Sequence, residues 1–162
     1  MDTENWKDFY VATAGAAAAL AGLVFVALSI NLNRILGLPG MVARAAETLV
    51  LLAAALITAL VALIPGQSSG MMGAQLGIVA LISWGLPSAS HVGAGRARHY
   101  QYRWHLFARV VLHQVATIPL LVASGMLLAA ADRALYWLAL GIVLVLIVGL
   151  FNAWVLLVEI VR

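Results

Sequence analysis

The sequence predicts an all-α integral membrane protein, a bundle of five transmembrane helices with the N-terminus outside and the C-terminus cytoplasmic. Three observations predict it. Hydrophobic residues fill 65% of the 162 positions and charged residues only 9%, against about 25% charged in an ordinary soluble domain. The mean hydropathy is +1.07, so few charged side chains remain to cover a water-facing surface. The apolar residues also gather into five continuous runs with short connections between them. Barrel strands would alternate in polarity, and only helices or closed barrels pair every backbone group inside lipid.

A hydrocarbon core about 30 Å thick takes roughly 20 apolar residues of helix. The first run, 9–32, follows Trp6 and opens on Phe9 and Tyr10, aromatic rings suited to the membrane interface. Asp2 or Thr3 is placed to cap a short turn ahead of it. The start is acidic, so it lacks the basic region of a secretory signal. The second run, 45–64, stops at Pro65-Gly66. The third, 72–90, is the most interrupted by glycine. The fourth, 107–131, carries Pro119, which removes a backbone donor from the helix. The fifth, 134–158, opens with Tyr136 and Trp137. Residues 33–44, 65–71, 91–106 and 132–133 are expected as connections, and 1–162 as a single domain. No internal repeat is evident, which weighs against a transporter built from two inverted halves.

Orientation follows from the basic residues, which favour cytoplasmic segments. With the N-terminus outside, Arg34, Arg44, Arg96, Arg98, Arg103, Arg109 and Arg162 fall inside, and only Lys7 and Arg133 fall outside. The acidic Asp2, Glu4, Asp8 and Asp132 fall outside. The expected location is the plasma (inner) membrane, multi-pass.

The chain has no cysteine, which removes disulfides, thiolate metal sites and thiol nucleophiles. No lysine lies in a span, so a retinal-type Schiff base is excluded. No tight metal-ligand spacing, nucleophile elbow or phosphate loop occurs. No catalytic residue, metal or cofactor is expected, and the protein is read as no enzyme. One haem alternative stands beside this: His91 and His113, from neighbouring helices at comparable depth, as an axial pair.

Polar residues inside apolar spans are costly in lipid and tend to face protein or water. Here they crowd toward the cytoplasmic ends. His105, Arg109, His113 and Thr117 recur every four residues, hence along one helix face. With Asn152 of the fifth span they are the candidate lining of a cytoplasmic vestibule. The plainer reading leaves His105 and Arg109 at the headgroups, where Arg109 snorkels, and gives His113 and Gln114 an interhelical hydrogen bond, for example to Asn152. Arg44, Glu47 and Glu159 are candidate gating ion pairs. Spacing of i, i+3 pairs Arg44 with Glu47 and Glu159 with Arg162 locally; the alternative carries Glu47 or Glu159 across to Arg109.

Ala14, Ala18 and Gly22 form a small-xxx-small ladder in the first span, a face on which helix backbones approach closely. It serves packing inside one subunit or between subunits. Arg96, Arg98 and Arg103 lie among aromatics beside a membrane helix, which points to anionic lipid headgroups rather than nucleic acid. These features point first to a homo-oligomeric ion channel or small permeation protein, with a basic cytoplasmic vestibule and an apolar outer constriction. The competing readings are a non-catalytic accessory subunit of a larger membrane complex, with a protein partner, and a haem-binding redox protein.

Overall fold

The computed structural model describes residues 4–38, 40–96 and 103–161, a succession of helices with no strand among them. A single 3-10 turn, Glu4–Trp6, leads into α1 (Lys7–Ile30). Then follow α2 (Leu32–Gly37), α3 (Met41–Ala62), α4 (Ser69–Arg96), α5 (Arg103–Leu128) and α6 (Ala134–Val161). All but α2 are long and apolar enough to cross a membrane. The cap expected from Asp2 or Thr3 lies outside the described residues, as do Arg98 and the side chains of Arg96, Arg103 and His105.

Helices α3, α4, α5 and α6 close into a ring in that order, and α1 lies outside it, chiefly against α3. Leu51, Leu76, Ala80, Ala116, Leu120, Leu138 and Ile142 fill the centre of the ring. Close approach of α4 and α5 depends on Gly73. A Cβ there would stand 2.9 Å from the Leu128 backbone nitrogen. Ser124 Oγ uses the proximity to donate to the Gly73 carbonyl at 2.8 Å. Gly73 and Gly77 are a GxxxG pair, so the small-residue packing motif operates inside the bundle on α4. On α1, in contrast, Ala14 is half-buried, and Ala18 and Gly22 are exposed.

Three connections are shorter than the sequence reading expects; the last is longer, since the fourth run, expected to reach 131, ends as α5 at Leu128, and α6 starts at Ala134. Within 33–44 the chain forms α2 and starts α3 at Met41. The break after α1 falls at Asn31, whose side-chain amide donates to the Ala27 carbonyl at 2.9 Å, a local bond that competes with the helical ladder. Ile35 of α2 is buried against Leu28, Met41, Ala45 and Leu156, a small second core. Leu38 is extended, the conformation favoured before a proline, and Gly40 at φ +80° turns the chain into α3. Residues 91–96, expected in a loop, continue α4, and α4 and α5 run through Pro87 and Pro119.

At the opposite end, Gln67 donates to the carbonyls of Val61 and Ile64 at the close of α3, satisfying groups that a helix end leaves open. Ser68 accepts from the Met71 N–H and caps α4. The α5 end has the Schellman pattern: Ala131 N–H donates to Met126, and Ala130 N–H to Leu127. Ala130 occupies the left-handed position at φ +53° that glycine usually takes. Trp6 meets Tyr136 edge-on at 5.0 Å, so the aromatic starts of α1 and α6 share this end.

Outside the ring, Leu23, Phe25, Ile30, Ile78 and Trp154 stand more than half exposed. An apolar surface of this extent suits lipid and not water. Together with five apolar helices of spanning length it supports a multi-pass membrane protein.

Candidate functional site

The N-terminal parts of α3 and α5 and the C-terminal parts of α4 and α6 meet at one end of the bundle. Glu47 lies six residues after Met41 on α3, about 9 Å along the helix at 1.5 Å per residue. Its side chain is 1% exposed. A carboxylate taken out of water to that degree requires paired donors, and three side chains from α4 and α5 supply them.

Arg109 comes closest. Its Nε donates to Glu47 Oε2 at 2.5 Å, with Nη2 at the same distance. His91 Nε2 reaches the same oxygen at 3.3 Å and, facing a carboxylate, donates. His113 Nδ1 faces the other oxygen, Oε1, at 3.4 Å. The two imidazoles touch edge to face, with centroids 5.4 Å apart. Glu47, His91 and His113 are buried, and Arg109 is 9% exposed.

Backbone and hydroxyl groups complete the surroundings. His113 Nε2 donates to the Trp84 carbonyl at 3.2 Å. Trp84 precedes Pro87 by three residues; the carbonyl that the missing Pro87 N–H leaves open is that of Ser83, one position earlier. Trp84 Nε1 donates to Gln114 Oε1 at 2.6 Å, and Gln114 Nε2 reaches Ser88 Oγ. Thr117 Oγ1 bonds back to the His113 carbonyl, and Thr48 Oγ1 to Arg44. Arg44 pairs at 2.9 Å with Glu159 of α6, in a position that leaves Glu159 about half exposed.

The expected residues whose side chains are described fall as follows. Arg109, His113 and Thr117 share one face of α5, and that face turns into the bundle. All three and Asn152 are buried within the chain, where they face neighbouring helices. The local pairing of Arg44 with Glu47 is not what forms. Arg44 is drawn to Glu159, and Glu47 points between α4 and α5 to Arg109. Arg109 pairs with Glu47 and does not snorkel, and the pair supplies a partner to a carboxylate that would otherwise stand buried and uncompensated. The interhelical bonds of His113 and Gln114 form with Trp84 and Ser88 in place of Asn152. Asn152 Nδ2 has no hydrogen-bond partner among the described residues.

Trp84, Ser88 and the Gly73/Gly77 pair are absent from the sequence-based candidates. Gly73-xxx-Gly77 was open to reading as a packing motif. The Trp84 carbonyl carries no signal in the sequence. The haem alternative does not fit. The His91 and His113 rings are in contact with each other, and their Nε2 atoms are engaged by Glu47 and Trp84, which leaves no gap for a porphyrin plane. Among the described residues no cluster of His, Asp and Glu has the arrangement to hold a metal ion.

Comparison with protein-family models, with curated proteins and with solved structures finds no match to this chain.

Proposed function

We propose that this chain is a small permeation protein of the plasma (inner) membrane, a homo-oligomeric ion channel whose cytoplasmic mouth is governed by the Glu47–Arg109–His91–His113 cluster. The observation that carries the reading is the cluster itself. Four ionisable side chains from three helices are buried at one end of an otherwise apolar bundle. Mere packing does not require them, and intramembrane ionisable groups mark ion and proton pathways. The positive-inside bias assigns that end to the cytoplasm, where Arg96, Arg98 and Arg103 would meet anionic lipid. Five helices of this length do not enclose a wide pore alone. Several copies around an axis would, with the apolar half of the spans as a dewetting constriction.

The test is reconstitution. Purified protein in planar bilayers is expected to pass ions, and native mass spectrometry to show one discrete homo-oligomer. His113→Ala is expected to change conductance or selectivity while helicity is retained. A monomer that passes no current would refute the reading.

A second reading, a non-catalytic accessory subunit, draws on the outer face of α1. Ala18 and Gly22 are exposed there, and neither Gly15 nor Gly22 has an atom within 4 Å of a built Cβ. A partner helix can approach such a face closely. A monomer recovered in stoichiometric complex with a larger membrane protein would favour it.

A further inference from the structure

The buried cluster is one hydrogen short of the contacts it makes. His91 as a neutral imidazole serves the one acceptor it faces, Glu47 Oε2, through Nε2, while its Nδ1 has no hydrogen-bond partner among the described residues. His113 differs. Its Nε2 faces the Trp84 carbonyl at 3.2 Å and its Nδ1 faces Glu47 Oε1 at 3.4 Å. A neutral imidazole carries one N–H, so it serves one of these acceptors and turns a lone pair toward the other. Neither His113 Nδ1 nor Glu47 Oε1 has a hydrogen-bond partner elsewhere among the described residues. Both are buried, and two acceptors facing each other at 3.4 Å, too close to admit a water, are costly.

We propose that the pair Glu47 Oε1–His113 Nδ1 is a binding site for one proton, held between α3 and α5 and drawn from the water at the adjacent end of the bundle. On His113 it makes an imidazolium that donates to both acceptors. On Glu47 it makes a carboxylic acid that donates to Nδ1. The contact is satisfied in either form, so the count is one proton and not its position.

The other charged and titratable neighbours are accounted for. Arg109 on α5 occupies Oε2 as a permanent cation. His91 on α4 shares that oxygen. On α3, Arg44 is engaged by Glu159, the carboxylate of α6, and neither contacts the pair. The Trp84 carbonyl supplies the second acceptor for the imidazolium form. Loss of the proton would leave two acceptors opposed across the α3–α5 contact, so proton occupancy and helix packing at this end are linked. The inference goes beyond permeation, since proton binding is an equilibrium property measured without any flux.

The experiment is ring-nitrogen NMR of the histidine-labelled full chain in lipid nanodiscs at neutral pH, with the His113 signals assigned by their loss in His113→Gln. Infrared spectra of the carboxyl C=O band accompany it. In wild type, either His113 Nδ1 is protonated or a protonated carboxyl band is present and disappears in Glu47→Gln. In Glu47→Gln the side-chain amide donates to Nδ1, so His113 is expected to become the neutral Nε2–H tautomer, one proton fewer per chain. If Glu47→Gln fails to fold, Glu4→Gln/Glu159→Gln protein labelled with carbon-13 at its glutamate carboxyl, which leaves Glu47 as the sole labelled group, supplies the same reading. A neutral His113 together with an ionised Glu47 in wild type would overturn the proposal. So would a His113 that stays doubly protonated in Glu47→Gln, because the proton would then not belong to the pair.

Discussion

Replacing Glu47 by Leu strands the Arg109 guanidinium and removes the acceptor of two histidines in one step. Removing one member of a buried ion pair costs about 3–5 kcal/mol, whereas replacing both by apolar residues is often neutral. Arg109 lies six residues after Arg103, the start of α5, about 9 Å in. It can partly return its charge to the interface, so Glu47→Leu is expected at the lower end, about 3 kcal/mol. Arg109→Met leaves the more deeply buried carboxylate with only the two imidazoles, and about 3–5 kcal/mol is again expected. The double variant Glu47→Leu/Arg109→Met removes both charges and should recover much of the loss, with a coupling energy of at least about 2 kcal/mol. The assay is unfolding of the purified protein by SDS added to mild detergent micelles, followed by helical circular dichroism. Single losses that add to within about 0.5 kcal/mol of the double would refute the argument that these charges stabilise the bundle as a pair.

Ala130→Gly should raise stability by about 1 kcal/mol in the same titration, because Ala130 sits at φ +53°, where an L side chain is strained and glycine is not. Gly73→Val should cost about 1–3 kcal/mol by overpacking, since even a Cβ at Gly73 meets the Leu128 backbone; an unchanged midpoint would remove the close α4–α5 approach. Arg44→Ala should shift the midpoint by less than about 1 kcal/mol, because its partner Glu159 is half exposed. A large loss there would mean that this pair, and not the buried one, holds the end of the bundle.

The spans were legible because lipid sets a length and a composition that the chain meets five times over. Boundaries moved where local chemistry intervened. Asn31 and Leu38 bracket a helix, α2, too short to register as an apolar run, and the polar sequence after Ser90 hid six further helical residues of α4. The α5 stripe was legible in the same way, from the four-residue period of His105, Arg109, His113 and Thr117. What the stripe faces was not. A spacing of i, i+3 places Arg44 and Glu47 on neighbouring parts of one helix surface, yet the two turn to different helices and pair with residues 115 and 62 positions away.

Composition and spacing were enough to define five apolar helices with most of the ionisable residues toward one end. Hydrophobicity and periodicity are local properties, written in consecutive residues. Helix packing, in contrast, set Glu47 against Arg109, placed His113 between two acceptors, and made the small residues of α4 those that pack the bundle. Those outcomes depend on which helices become neighbours and at what depth each crosses the others. Such positions are set by the packing of the whole ring and appear in no single stretch of sequence.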